Sequence, residues 1–495
     1  MSDFITSIFG DYTALATMIV LIIGALIMPG IQMFIKKHTV TWIIALIFVI
    51  VAMVMDILLL QDDIYSTNLG VTLTTYSALM SLLFLIVLFF VVLVSNASTE
   101  VTRSHSGAYY ALLFGAVVGM LFVAGSTSLL TIFVGVELTS ISSYALVALK
   151  RKDGRASEAA VKYAIVGGMS TALTLYGISM IYGLTGSVEI SEIADYVMTS
   201  DFSWMFGIGI IAMIAGYGFK IAAVPFHMWA PDVYEGAATP VSMFLATGSK
   251  KMGLAVFIQV FLAMFVGSVV LGQMFGETMQ YLFAILAAIT MTLGNVVAIA
   301  QTNIKRMLAY SSIAQAGYIL IIMAVMSGEA ASAGTFHMFT HVFMKGGAFL
   351  VVGALICAGL GEKISDYRGL AKRAPLMAAA MMLFLFSLAG IPPLAGFTSK
   401  FFLFASAIGT TGTVEGQWVW LAFVAILNSA ISLYYYARVV KAMYIEKGES
   451  TEKIKVPRIF TFAIVLCIIF VIVLGVYPDL IYDYCEKAFS VLYLI

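Results

Sequence analysis

The sequence predicts an all-α integral membrane protein of about fourteen transmembrane helices, and three observations carry that prediction. Of its 495 residues, 62% are hydrophobic and 11% charged, whereas soluble domains hold roughly 45–50% apolar and about 25% charged residues. Apolar runs of helix-spanning length recur along the whole chain. The loops between those runs alternate in charge. The composition excludes an ordinary cytosolic enzyme, a disordered chain and a disulfide scaffold. The 26 basic and 26 acidic residues cancel, so no basic face is offered to nucleic acid. Cys357, Cys467 and Cys485 lie far apart with no CxxC, so neither a metal nor an iron–sulfur site is expected on this chain.

A helix rising ~1.5 Å per residue needs about 20 apolar residues to cross ~30 Å of hydrocarbon. Such runs fall near 12–35, 40–60, 75–97, 108–125, 127–149, 158–184 and 204–229, then near 239–268, 278–300, 306–327, 333–360, 375–408, 417–445 and 458–478. None shows the two-residue alternation of barrel strands. A short acidic lead (Asp3, Asp11) without a basic segment gives no signal-peptide pattern. After spans 1, 3, 5, 9, 11 and 13 come Lys36-Lys37, Arg103, Lys150-Arg151-Lys152 with Arg155, Lys305-Arg306, Lys363 to Arg373 and Lys441 to Arg458. The opposite loops hold Asp62-Asp63, Glu189, Glu192, Asp195, Asp201, Glu277, Glu329 and Glu415. Basic loops mark the cytoplasmic side, so both termini are expected outside, in a prokaryotic plasma membrane.

Charges also occur within the spans. Lys162, Lys220, Lys250, Lys251, Lys345, Lys400, Glu137 and Asp56 all lie inside or at the edge of an apolar run. A charge at mid-membrane costs roughly 2.5–3.5 kcal/mol on insertion scales, so it usually serves an ion or proton path. The structural alternative is an ion pair or a lysine snorkelling to the interface. That alternative is preferred for Asp56 and stands level with function for Lys162, which follows Glu158 by one turn. For Lys220, Lys400 and Glu137 function is preferred. A buried lysine facing a movable carboxylate carries a proton whose affinity can be switched, and Glu137 with Lys220 is the expected couple.

Two spans carry helix breakers beside a lysine. Gly216, Gly218, Pro225 and Pro231 surround Lys220, and Gly390, Pro392, Pro393 and Gly396 precede Lys400. Proline removes a backbone donor, so both segments are expected to unwind at mid-membrane, as in transporters built from repeats. In HMFTHVFMKGG, His337, His341 and Lys345 recur every four residues and share one helix face. A polar proton stripe is preferred there over helix–helix hydrogen bonding, and over a metal site that lacks further ligands. His227, seven residues beyond Lys220, is expected near the same face of span 7. Lys250 and Lys251 are adjacent, so their side chains diverge by about 100° and only one is expected to face a given partner.

IFVGVELTSISSYALVAL, FKIAAVPFHMWAPDVYEGAATPV, QTNIKRMLAYSSIAQAGY and AGIPPLAGFTSKF resemble the antiporter-like subunits of respiratory complex I and its relatives. VPFHMWAPDVYEG and the lysine of GFTSKF resemble the N-type subunits most, while HMFTHVFMKGG resembles the same helix of L-type and cation-antiporter subunits. The resemblance implies two inverted five-helix repeats (spans 4–8 and 9–13) with discontinuous helices 7 and 12. It divides the chain into 1–105, 106–270, 271–446 and 447–495. It also implies a proton-transfer axis of Glu137, Lys220, Lys250 and Lys400, with Lys250 preferred to Lys251. His227, His337, His341 and Lys345 are expected as secondary relays, and Glu158 with Lys162 at the intake.

The expected activity is proton translocation by a membrane subunit of a redox-driven, complex I-like oxidoreductase. No cofactor is expected on this chain. Iron–sulfur clusters, flavin and a quinone or phenazine belong to partner subunits, among them further antiporter-like subunits and a hydrophilic redox arm, with lipid around the membrane face. The alternative is a subunit of a multi-subunit Na⁺/H⁺ antiporter.

Overall fold

Helices occupy the expected runs in the computed structural model, which describes residues 6, 8–35, 37–61, 66–68, 70–101, 105–150, 153–200, 203–270, 274–409, 416–448 and 452–490. Asp3, Lys36, Asp62, Asp63, Arg103, Arg151, Lys152, Asp201 and Glu415 of the charge pattern lie outside those residues. Thirteen continuous helices are long and apolar enough to span: Gly10–Phe34, His38–Gln61, Thr75–Ser95, Ser106–Gly125, Leu129–Ala148, Gly154–Thr185, Trp204–Ile221, Thr239–Val269, Met274–Ile299, Ile304–Val325, Gly328–Cys357, Val419–Tyr444 and Arg458–Val476. The twelfth expected span is instead two half-helices, Pro375–Ala389 and Ala395–Ile408. Counting that pair as one gives the fourteen. Span 12 is kept below for the pair, and spans 13 and 14 for the last two helices.

Five is an odd number, so a five-helix unit that starts on one side of the membrane hands the chain to its successor on the other. The packing repeats accordingly. Span 4 packs on span 5 and span 9 on span 10; span 6 packs on span 7 and span 11 on both halves of span 12. Spans 10 and 11 are almost wholly enclosed by protein. Span 6 and span 13 instead present Ile165, Met169, Phe423 and Tyr434 outward, apolar surface suited to lipid or to neighbouring subunits.

Both expected breaks are present and share one local geometry. Span 7 stops at Ile221 because Ala222 turns left-handed (φ 56°), and the Ala223 N–H reaches back to Gly218 O at 2.9 Å. The first half of span 12 stops at Ala389 because Gly390 turns left-handed (φ 92°), with Ile391 N–H on Phe386 O at 3.1 Å. This C-terminal motif satisfies two carbonyls that a mid-membrane helix end would otherwise orphan. Chain resumes as helix at Trp229–Gly236 and Ala395–Ile408. Span 8 departs in another way, with wide π-helical turns at Leu245–Ser249 and Phe257–Leu262 on either side of Lys250 and Lys251.

Candidate functional site: a buried polar axis

Lys220 sits in the last turn of span 7 and is 2% exposed. Its Nζ donates to Ser140 Oγ at 2.9 Å and to Tyr163 OH at 3.4 Å, and lies 5.8 Å from the Tyr163 ring centre. Tyr163 is fixed in turn by stacking on Trp229 at 4.5 Å, whose indole N–H caps Phe219 O at 2.8 Å. The WAPD segment therefore returns across the break and clamps the end of the helix that bears Lys220. Glu137 stands one turn before Ser140 on span 5 and accepts from Thr171 Oγ1 at 2.8 Å. Among the described residues no ion pair joins Glu137 to Lys220. Each member of the expected couple rests instead on a hydroxyl, Glu137 on Thr171 and Lys220 on Ser140.

Lys400 repeats that arrangement in the second half. It lies on Ala395–Ile408 and reaches back over the break to Leu388 O at 2.8 Å, Ala389 O at 3.4 Å and Ser429 Oγ at 3.0 Å. A cation on the last carbonyls of a helix meets the negative end of its dipole. Its Nζ is 4.7 Å from the Tyr318 ring centre. Lys220 thus lies before its break and Lys400 beyond its own, as the sequence offsets indicate; Lys400 Nζ ends on the carbonyls of a half-helix end and Lys220 Nζ on hydroxyls, and both meet an aromatic face.

Span 11 packs against spans 8 and 10 and both halves of span 12. His337 Nδ1 is 2.8 Å from Ser399 Oγ and Nε2 2.9 Å from Gln315 Oε1, and Gln315 Nε2 donates to Leu388 O at 3.2 Å. That carbonyl is the one Lys400 holds, so His337 and Lys400 belong to one hydrogen-bonded chain. Lys345 donates to Leu308 O at 3.1 Å and to Ser311 Oγ, which itself bonds Tyr436. His341 is fully buried between them, and among the described residues neither ring nitrogen has a partner. His337, His341 and Lys345 therefore do share a buried face, as their spacing requires.

Lys250 is 1% exposed, with its Nζ 5.6 Å from the Tyr234 ring centre and no hydrogen-bond partner among the described residues. Lys251 is equally buried. Only one of the pair is expected to face a given partner, and Lys250 is the one that lies over the Tyr234 ring. Span 8 is enclosed where it carries the pair, so a 100° divergence leaves both side chains inside. His227 is corrected: the helix ends at Ile221, so His227 falls in the break and not on a continuous helix face.

The intake expected at Glu158 and Lys162 is a surface ion network. Lys162 pairs with Glu158 at 2.7 Å and with Asp232 at 2.9 Å; Arg306 pairs with Asp232 at 2.7 Å and Glu235 at 2.9 Å. These side chains line an open cavity of about 200 Å³ at the rim of the basic side. Asp56 contradicts the structural reading preferred for it: among the described residues it makes no ion pair, and Oδ2 has no hydrogen-bond partner.

Sequence reasoning missed the aromatic and hydroxyl partners. Tyr163, Tyr234 and Tyr318 each face one lysine, and Ser140, Ser399 and Ser429 supply the hydroxyls. No signal in the sequence marks these partners, because each tyrosine comes from a helix other than the one that bears its lysine. Among the described residues no group of three or more His, Cys, Asp or Glu is placed to hold a metal ion.

Residues 126–432 match the family described as NADH:quinone oxidoreductase/Mrp antiporter, transmembrane. The F420H2 dehydrogenase subunit N of Methanosarcina mazei is 41% identical over 87% of this chain and 86% of its own length. The NADH-quinone oxidoreductase subunit N of Desulfitobacterium hafniense is 40% identical over 81% and 82%. A chain of respiratory complex I from Thermus thermophilus superposes with a TM-score of 0.79 at 28% identity, over 94% of this chain and 98% of that one. Two broken spans, each with its lysine on a helix end, and relatives of this identity and coverage lead to one assignment: the chain belongs to the NADH:quinone oxidoreductase/Mrp antiporter family of transmembrane proteins, among its N-type subunits.

Proposed function

We propose that this chain carries protons across the membrane through Glu137, Lys220, Lys250 and Lys400, as the N-type subunit of a complex I-like, redox-driven pump. The observation that carries the reading is the run His337–Gln315–Leu388 O–Lys400, which links span 11 to the second break without leaving the buried interior. Lysines held by hydroxyls, carbonyls and aromatic faces suit this work. Loss of a proton from Lys220 or Lys400 strands no carboxylate, because the immediate partners are neutral. Nearby Glu137 then acts as the movable bias: drawn toward Lys220 it favours the charged amine, and drawn away toward Thr171 it favours release.

Protons enter from the basic, cytoplasmic side past Glu158 and Lys162, load Lys220 and Lys250, pass His341, His337 and Lys345, and leave outward from Lys400. Both termini face outward in a prokaryotic plasma membrane. The repeats span 106–270 and 271–446, after three leading spans (1–105) and before a last helix (447–495). Electron transfer belongs to partners: iron–sulfur clusters and flavin in a hydrophilic arm, and a quinone or phenazine in the membrane, beside further antiporter-like subunits and lipid.

The test is proton pumping by the reconstituted assembly carrying Lys220→Ala or Lys400→Ala. Both variants should assemble, and pumping should fall on the order of tenfold or more, the effect of losing about 1.4 kcal/mol at the limiting step. Unchanged pumping by either assembled variant would overturn the axis. Co-purification with antiporter subunits alone, without iron–sulfur partners, would move the same residues to Na⁺/H⁺ exchange.

A further inference from the structure

Asp56 lies in span 2, five residues before that helix ends at Gln61, about 8 Å from its end at 1.5 Å per residue. It is 2% exposed and borders a cavity of about 20 Å³ that Thr17, Thr72, Ser77 and Ser81 also line. That is room for a single water or bare ion. Spans 1, 3 and 4 pack against span 2. Their described residues, with those of the short hairpin at 66–73, carry no Lys or Arg. Asp11, on the first span, is exposed, and Tyr12, Tyr76, Tyr109 and Tyr110 bring no positive charge. His105 precedes span 4 at the end away from cavity-lining Gly125, and His38 begins span 2 at the end away from Asp56. An ionised carboxylate here has no counter-charge among the described residues, and leaving one bare in an apolar surround is prohibitive.

We propose that the Asp56 cavity is a cation site separate from the Lys–His axis, holding one proton or one Na⁺ on the carboxylate and exchanging it with the side of the acidic loops. The cavity size excludes a hydrated or larger cation. The polar side chains of the lining, those of Thr17, Asp56, Thr72, Ser77 and Ser81, offer oxygens alone and suit a hard monovalent ion, and Asp56 Oδ2, unpartnered and buried, is the group that the ion completes.

The experiment is carbodiimide labelling of the purified native complex, since dicyclohexylcarbodiimide adds to protonated carboxyls in apolar surroundings, with the Asp56 peptide read by mass spectrometry. Labelling in sodium-free, mildly acidic buffer is expected. A several-fold loss on adding NaCl at fixed pH, with choline chloride as control, identifies Na⁺. Loss only on raising the pH identifies the proton. Absence of labelling, or labelling indifferent to both, overturns the proposal. Asp56→Asn supplies the second reading, because an amide mimics the neutral acid. The melting temperature of the wild-type complex relative to this variant should fall as pH rises, and Na⁺ should restore it only if Na⁺ is the ligand. A difference flat in pH and Na⁺ again overturns the site.

Discussion

At the scale of single residues the decisive feature is a lysine buried without a carboxylate. Lys220, Lys250, Lys251, Lys345 and Lys400 are each no more than 3% exposed. Charged side chains this deep are retained in membrane proteins where a path needs them. Their importance was legible in the sequence, because Lys in an apolar run is anomalous whatever the fold. Their partners were not, since Tyr163, Tyr234 and Tyr318 come from other helices and a tyrosine in a span is ordinary. Helix phase separates Lys250 from Lys251 in the sequence, but both are buried in the fold. Lys250→Met and Lys251→Met are each expected to lower proton pumping on the order of tenfold, about 1.4 kcal/mol at the barrier. A Lys251→Met assembly that pumps at the wild-type rate would return that residue to a packing role.

At the scale of the element, span 12 shows why a break can be foreseen more readily than its shape. Pro392 and Pro393 forbid a continuous helix. They do not reveal that the two halves must nearly touch. A Cβ on Gly396 would lie 1.7 Å from Ser387 O, and one on Gly475 of span 14 would lie 2.2 Å from Pro393 O. The break is therefore closed on two sides by bare backbone, which seats Leu388 O and Ala389 O where Lys400 Nζ can reach them. Gly396→Ala must push rigid backbone aside and is expected to destabilise the chain by about 1–3 kcal/mol or more, read as a drop in melting temperature. Gly168 in span 6 is the control. Nothing lies within 4 Å of its added Cβ, and the better helix propensity of alanine should leave stability unchanged or raised by up to about 1 kcal/mol. Equal behaviour of the two variants would refute the close approach. Sequence offered both glycines alike, because the contacts that separate them come from distant parts of the chain.

At the scale of the whole molecule, the two repeats are tied together at the rim of the basic side, and the ties differ in depth. Lys305 is fully buried at the start of span 10; its Nζ donates to Glu235 O at 3.0 Å and Ala237 O at 2.8 Å, and pairs with Glu362 at 3.3 Å. The first repeat supplies both carbonyls and the second repeat the lysine and carboxylate. Lys162, by contrast, pairs in the open. Exposed pairs contribute about 0–1 kcal/mol, whereas removing one member of a buried pair costs about 3–5 kcal/mol. Lys162→Ala should therefore scarcely move the melting temperature, and Lys305→Ala should lower it sharply. The loop charges made this rim visible in the sequence as a basic side, but distinguishing a clasp from a solvated face needed the second repeat in place. Glu100 extends the clasp: burial pushes its carboxyl up, but the Lys305 charge, the Thr239 N–H at 2.9 Å and Lys150 at 3.4 Å outweigh that and hold it below the ordinary carboxylate value. A depressed folded-state value means that the stabilisation is complete above the unfolded value of about 4.3 and drains away as pH falls through the lower, folded one. Glu100→Gln should accordingly cost about 1–3 kcal/mol at neutral pH, the worth of charge-assisted hydrogen bonds. In more acidic buffer, where the wild-type carboxyl is also losing its charge, the gap between the two proteins should narrow. A gap that stays constant from neutral to strongly acidic pH would mean that Glu100 contributes by shape alone.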